Sequence, residues 1–248
     1  MSALVRSELL KVRTTRGGWA YLIIAVVLVG AAVAAETGTA EDAERGLLEF
    51  QLDLVEAAGI AAVLALILGI TMVTTEFRHG TITPTLLVEP RRERVLAAKT
   101  LAGGLAGAFL GALALVVVAA VAVPWLSLVD AELHLDGEVG KRAAATLLGV
   151  VLFGLIGLAI GSAVHSQVAA LVGTLLWIFV GETLLLGVLG LLDWNGARKY
   201  LPFQALDGAD GVGGEDLLDY WPALGVSLAW IAAIGAAGLV RTRRRDIT

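Results

Sequence analysis

The chain has 248 residues, of which 58% are hydrophobic and 17% charged, against roughly 45–50% and 25% in soluble domains; a water-soluble fold has nowhere to bury that excess. With no cysteine, disulfides and cysteine-based metal sites or nucleophiles are excluded, and His79, His134 and His165 form no ligand spacing. The net charge of −5 averages two opposite populations of loops, so it points to no nucleic-acid partner.

In chain order, residues 2–13 place Val5, Leu9 and Val12 on one helical face while Arg6, Glu8, Lys11 and Arg13 project elsewhere. Residues 1–18 are therefore expected to lie in the headgroup layer as an interfacial helix, the alternative being a disordered basic tail. A spanning helix needs about 20 predominantly apolar residues. Six segments qualify: 19–35, 57–75, 101–129, 143–164, 168–192 and 222–240. The first, with Ala32-Val33-Ala34 at its end, also resembles a secretory signal, but its apolar run exceeds the usual ~7–15 residues. In the third, Pro124 suggests a kink or an early exit. The fifth carries one charge, Glu182.

Lys and Arg stay on the cytoplasmic side of a membrane protein. Here they gather before the first span (Arg6, Lys11, Arg13, Arg16), after the second (Arg78, Arg91, Arg92, Arg94, Lys99) and after the sixth (Arg241, Arg243, Arg244, Arg245). Acidic residues dominate the loops after spans one, three and five. Both termini are thus expected inside, and residues 1–248 form one all-α transmembrane domain of six helices.

The stretch 76–100 carries the most information. Gly80 and Pro84 break the helix leaving the membrane, a mostly apolar patch follows, and Pro90 ends it before a basic return. Such a loop has little reason to show Ile82, Leu86, Leu87 and Val88 to water, so either the protein's own helix ends or a separate partner covers them. Glu76-Phe77-Arg78-His79-Gly80-Thr81, then Pro90-Arg91-Arg92 and Lys99, resemble the span-two to span-three loop of type-2 ABC transporter permeases, the membrane subunits of ABC exporters. That pattern is an acidic residue, a short gap to Gly-Thr, a Leu-rich turn, a Pro with basic neighbours and a Lys opening the next span. In outline the resemblance extends to the whole chain, including the outer Tyr200-Leu201-Pro202-Phe203.

The resemblance implies that the loop is a coupling element seating on a nucleotide-binding subunit, with docking residues Glu76, Arg78, Thr81, Thr83, Pro84, Leu86, Leu87, Pro90, Arg91 and Arg92. It further implies two copies of a cytoplasmic ABC ATPase, a second permease chain in a homodimer, and a bacterial inner-membrane location. Glu76 either salt-bridges a basic residue of the amino-terminal helix or is merely solvated. No cofactor is expected on this chain: the one Gly-Lys pair, Gly140-Lys141, lacks the rest of a phosphate loop, so ATP and magnesium belong to the partner subunit. The chain itself is read as no enzyme.

An ionisable group inside a span costs roughly 2.5–3.5 kcal/mol on insertion scales, which singles out Glu182. It either lines a polar substrate path or holds a helix that breaks and re-enters near Gly181 and Gly187, as the resemblance leads one to expect. Gly103, Gly107 and Gly111, and Gly157 and Gly161, are small residues at four-residue spacing that let helices approach closely, within one chain or across a dimer. His165 beside Ser166 has no nucleophile motif around it. The reading is a permease exporting a hydrophobic or amphipathic substrate; the rival is a membrane-anchored accessory, assembly or immunity protein that binds a partner and moves nothing.

Overall fold

The computed structural model describes residues 1–134, 137–210 and 217–244. Arg245, and the side chains of Arg16, Leu86, Arg243 and Arg244, lie outside the described part. The described residues are helical, without a strand. Six helical stretches are long and apolar enough to cross a membrane: Gly17–Thr39, Leu48–Arg78, Arg92–Leu128, Gly137–Val164, Gln167–Leu191 and Tyr220–Thr242.

Helix α1 (Ser2–Thr14) is followed by α2 (Arg16–Thr39), the first span. After a single-turn α3 (Asp42–Arg45), the second span opens with α4 (Leu48–Glu56), passes a 3₁₀ turn and continues as α5 (Ile60–Arg78). It begins earlier than expected because the acidic residues of α4 do not end the helix. Gln51, Leu54 and Val55 turn inward there, and Glu56 pairs with Arg142. A short α6 (Ile82–Val88) leads to the third span, α7 (Arg92–Leu128), then come the fourth, α8 (Gly137–Val164), and the start of the fifth, α9 (Gln167–Leu176).

Two expectations about spans three and five need correction. Pro124 does not end α7, which runs on to Leu128. The fifth span does not break at Gly181. It widens into a π-helix over Trp177–Glu182 and resumes as α10 (Thr183–Leu191), a bulge that adds a residue to the turn and re-aims the side chains after it. The chain then folds back through α11 (Asn195–Arg198) and α12 (Pro202–Ala209) before the sixth span, α13 (Tyr220–Arg244).

The centre of the bundle is the pair α5 and α8, and glycines set their separation. A Cβ on Gly69 would overlap the Gly154 carbonyl oxygen, and one on Gly157 the Leu66 carbonyl oxygen, so the two backbones touch. On the other side of α8, a Cβ at Gly103 would lie 2.8 Å from Leu158 Cδ1 and one at Gly107 3.3 Å from Val151 Cα. Both glycine stripes therefore pack inside one chain. Close approach of this kind replaces the hydrophobic drive that lipid cannot supply between helices. Spans two and four are 61% buried over their most apolar stretch, against 17% for spans one, five and six, so the latter three form the rim.

The first turns of the bundle, the α5–α6–α7 loop, the α8–α9 turn and the end of α13 share one end of the molecule. Arg92 donates to the Thr242 carbonyl, and His165 Nε2 lies 3.2 Å from Thr242 Oγ1. At the opposite end, Gln51 Nε2 donates to the Glu132 carbonyl at 2.6 Å and its Oε1 accepts from the His134 amide at 2.9 Å.

Candidate functional site

The loop after span two owes its shape to local bonds and to one left-handed glycine. His79 closes α5, its Nδ1 2.9 Å from the Thr75 carbonyl, and Gly80 then takes φ +68°, a left-handed conformation that glycine adopts without penalty. Pro84 does not break a helix, as its sequence position suggested. It is the third residue of α6, among the first four positions, whose N–H groups have no intrahelical acceptor. Thr85 Oγ1 donates back to the Thr81 carbonyl at 3.1 Å. Glu89 turns extended and ends α6, and Arg91 N donates to Glu89 Oε1 at 3.2 Å.

The apolar patch divides in two. Ile82 is half-buried and lines a small cavity of about 30 Å³ with Val73, Phe77 and Val95, so the protein covers it. Leu87 and Val88 are 79% and 84% exposed and nothing covers them. Thr81, Pro84, Pro90 and Arg91 are exposed alongside, and Thr83 is half-buried. Arg78 leaves the loop sideways, Nη1 donating to Gln167 Oε1 at 3.2 Å. Arg92 is tied to α13 as described, and Arg94 pairs loosely with Glu89 at 3.5 Å.

Beneath the loop lies a cluster of four charges. Lys11 Nζ is 2.7 Å from Glu8 Oε1 and 2.6 Å from Glu76 Oε1; Lys99 Nζ is 2.7 Å from Glu8 Oε2 and 2.7 Å from Glu76 Oε1. Glu8, Glu76 and Lys99 are 4%, 5% and 2% exposed. Two carboxylates and two ammonium groups alternate, so the cluster is neutral, as burial of charge demands. Burial opposes the charge of Lys11, but its hydrogen bonds to Glu76 and Glu8 and their negative charges outweigh it and hold its pKa above the usual lysine range. Glu76 is thus not solvated at the membrane edge. It joins α5 to α1, and Lys99 joins both to α7. Glu8 was not singled out from sequence; its signal was being the one acid in a basic head, three residues before Lys11.

Glu182 sits at the last residue of the π-turn and is 2% exposed. Its Oε1 accepts from the backbone N–H groups of Phe203 at 3.2 Å and Gln204 at 3.1 Å. A carboxylate there satisfies amide donors that α12 leaves unpaired at its start and complements the positive end of that helix. Phe203 packs on Phe153 of α8, ring centroids 5.9 Å apart, while Asp210 past the end of α12 lies against Gly149. From Phe203 to Asp210 the segment runs back along α8, toward the end opposite the termini. A carboxylate from span five therefore holds the deep end of the returning segment.

Residues 2–247 match the family model described as ABC-2 family transporter protein. The chain belongs to that family. No curated protein matches it. As an ABC-2 family member it is a multi-pass membrane permease of an ABC transporter, a class that works with an ATPase subunit. The family match covers both features just described, the charge cluster under the loop and the carboxylate-held returning segment.

Proposed function

We propose that this ABC-2 permease exports a hydrophobic or amphipathic substrate across a bacterial inner membrane, driven by a separate cytoplasmic ATPase that seats on α6. The observation that carries this reading is the exposure of Leu87 and Val88 on a short helix whose root is fixed by buried ion pairs. Apolar side chains left uncovered together on a loop form a candidate partner site. Glu76, Arg78, Thr81, Thr83, Pro84, Leu86, Leu87, Pro90, Arg91 and Arg92 make up the docking region, with Arg91 and Arg94 placed to meet acidic groups on the ATPase.

Orientation follows from charge. Arg6, Arg13, Arg78, Arg91, Arg94 and Arg241 all lie at the terminus-bearing end, which the positive-inside rule makes cytoplasmic. Two such chains pair through their lightly buried rim spans and bind two ATPase copies, which carry the ATP and magnesium. Force on α6 reaches α5 through Glu76, α7 through Lys99 and α1 through Glu8 and Lys11, so these three helices shift together. Glu182 acts as the anchor of the returning segment, at the far side of the same bundle.

The test is co-purification of the chain with the ATPase encoded beside it. Leu87→Asp with Val88→Asp should abolish the association while leaving the thermal unfolding of the permease in detergent unchanged, because neither side chain packs on the protein. Unchanged association in that double variant removes α6 as the docking element.

A further inference from the structure

Spans five and six leave a cleft between them against span four, with a cavity volume of about 380 Å³, within the ~300–1,000 Å³ usual for ligand sites. Ile160 and Val164 of α8, Gly173 of α9 and Ile234 of α13 line its walls, and Trp177 and Phe203 stand at its deep end. Val164 belongs to the last turn of α8 at the terminus-bearing end, whereas Phe203 sits opposite Phe153. At 1.5 Å per residue the helix between Val164 and Phe153 is about 16 Å long, roughly half of a ~30 Å hydrocarbon core. The cleft is therefore an apolar slot about one leaflet deep, stopped by the returning segment.

Its mouth is basic. Arg241 Nη1 donates to the Ala163 carbonyl at 2.6 Å and Arg78 Nη1 to Gln167 Oε1 at 3.2 Å, so two exposed guanidinium groups flank the turn between α8 and α9. A guanidinium has five donors in a fork that fits phosphate oxygens, and each of these bonds uses Nη1 alone.

We propose that the slot holds one acyl chain of a phospholipid taken from the leaflet on the terminus-bearing side, with its phosphate between Arg78 and Arg241. An apolar slot of one-leaflet depth beside a turn that carries two guanidinium groups matches the two halves of that molecule. A molecule crossing the membrane by this route would have to displace Phe203, whose amide is bonded to Glu182, so the occupant is resident lipid rather than cargo. The proposal requires the six spans but not the ATPase seat on α6, and each can fail without the other.

The full chain, purified in mild detergent and washed free of loose lipid, would be irradiated with a phosphatidylglycerol carrying a diazirine in its acyl chain, then mapped by peptide mass spectrometry. Label is expected on Ile160, Gly173 and Ile234. Label spread instead over the outward residues Val168 and Phe179 overturns the proposal. A Cβ on Gly173 would meet nothing within 4 Å, so Gly173→Phe fills the slot without a backbone clash and should lower lipid retained in native mass spectra roughly tenfold, the effect of losing a contact of ordinary strength. The double variant Arg78→Gln with Arg241→Gln should do the same. Retention at the wild-type level in Gly173→Phe, or displacement of the lipid by inorganic phosphate alone, also overturns it.

Discussion

Lys99 at the start of span three and Glu8 of the amino-terminal helix, 91 positions apart, meet at 2.7 Å in a space nearly closed to solvent. Glu76 completes the bridge, so the helix before the first span is bolted to the two spans that flank the loop. Removing any one of the four charges leaves the buried cluster with an uncompensated net charge.

Lys99→Met should therefore cost about 3–5 kcal/mol, the usual penalty for breaking a buried pair from one side. Adding Glu8→Gln should restore much of that loss, because the remaining Lys11 and Glu76 then balance. Thermal unfolding in detergent of both single variants and the double variant measures the coupling; additive losses would mean that the two residues do not share an ion pair.

The pH dependence has a defined sign. Lys11 has its pKa raised in the folded chain, so its stabilisation is fully present below the unfolded value of about 10.4 and is lost as pH rises through the higher folded value. The difference in melting temperature between wild type and Lys11→Met should be constant from about pH 6 to 9 and shrink only above pH 10.4. A difference that falls between pH 6 and 9 would assign the effect to another group.

Two glycines should respond to alanine for opposite reasons. At Gly80 there is open space but φ is +68°, so Gly80→Ala should cost about 1 kcal/mol of backbone strain, re-aim α6 and weaken ATPase binding without unfolding the spans. At Gly69 the backbone is ordinary helix but a Cβ would overlap the Gly154 carbonyl oxygen. Gly69→Ala should force α5 and α8 apart and lower the yield of monodisperse protein, read by size-exclusion chromatography.

Glu182→Gln retains a side-chain oxygen that accepts from Phe203 and Gln204, whereas Glu182→Leu leaves both amides unpaired. The leucine variant should lose about 1–3 kcal/mol, the cost of burying an unsatisfied polar group, and hydrogen exchange of α12 should rise sharply. The glutamine variant should stay close to wild type. Equal exchange in the two variants would show that α12 is held by packing alone.

The six spans were legible because each needs only a run of apolar residues, a local property that no distant contact alters. Glu182 was legible for the same reason, as a charge where charge is costly. Glu8 was not, because its partner Lys99 is in another span and only packing brings them together. The reach of span two back to Leu48 was hidden by Glu49, Asp53 and Glu56, which read as loop until Arg142 pairs with one of them. Pro84 misled because proline breaks helices in their interior, whereas here it stands in the first turn. The π-turn at Trp177–Glu182 leaves no compositional trace.

The unbroken run of α7 gives the molecule a lever. Thirty-seven residues from Arg92 to Leu128 make a rod about 55 Å long at 1.5 Å per residue, longer than the ~30 Å hydrocarbon layer it crosses. Lys99 grips that rod near one end. The arm from Lys99 to Leu128 is about 44 Å, so a rotation of about 5° about the gripped end would sweep the other through about 4 Å. A small rearrangement of the charged seat is thereby enlarged to the width of a side chain on the opposite face of the membrane.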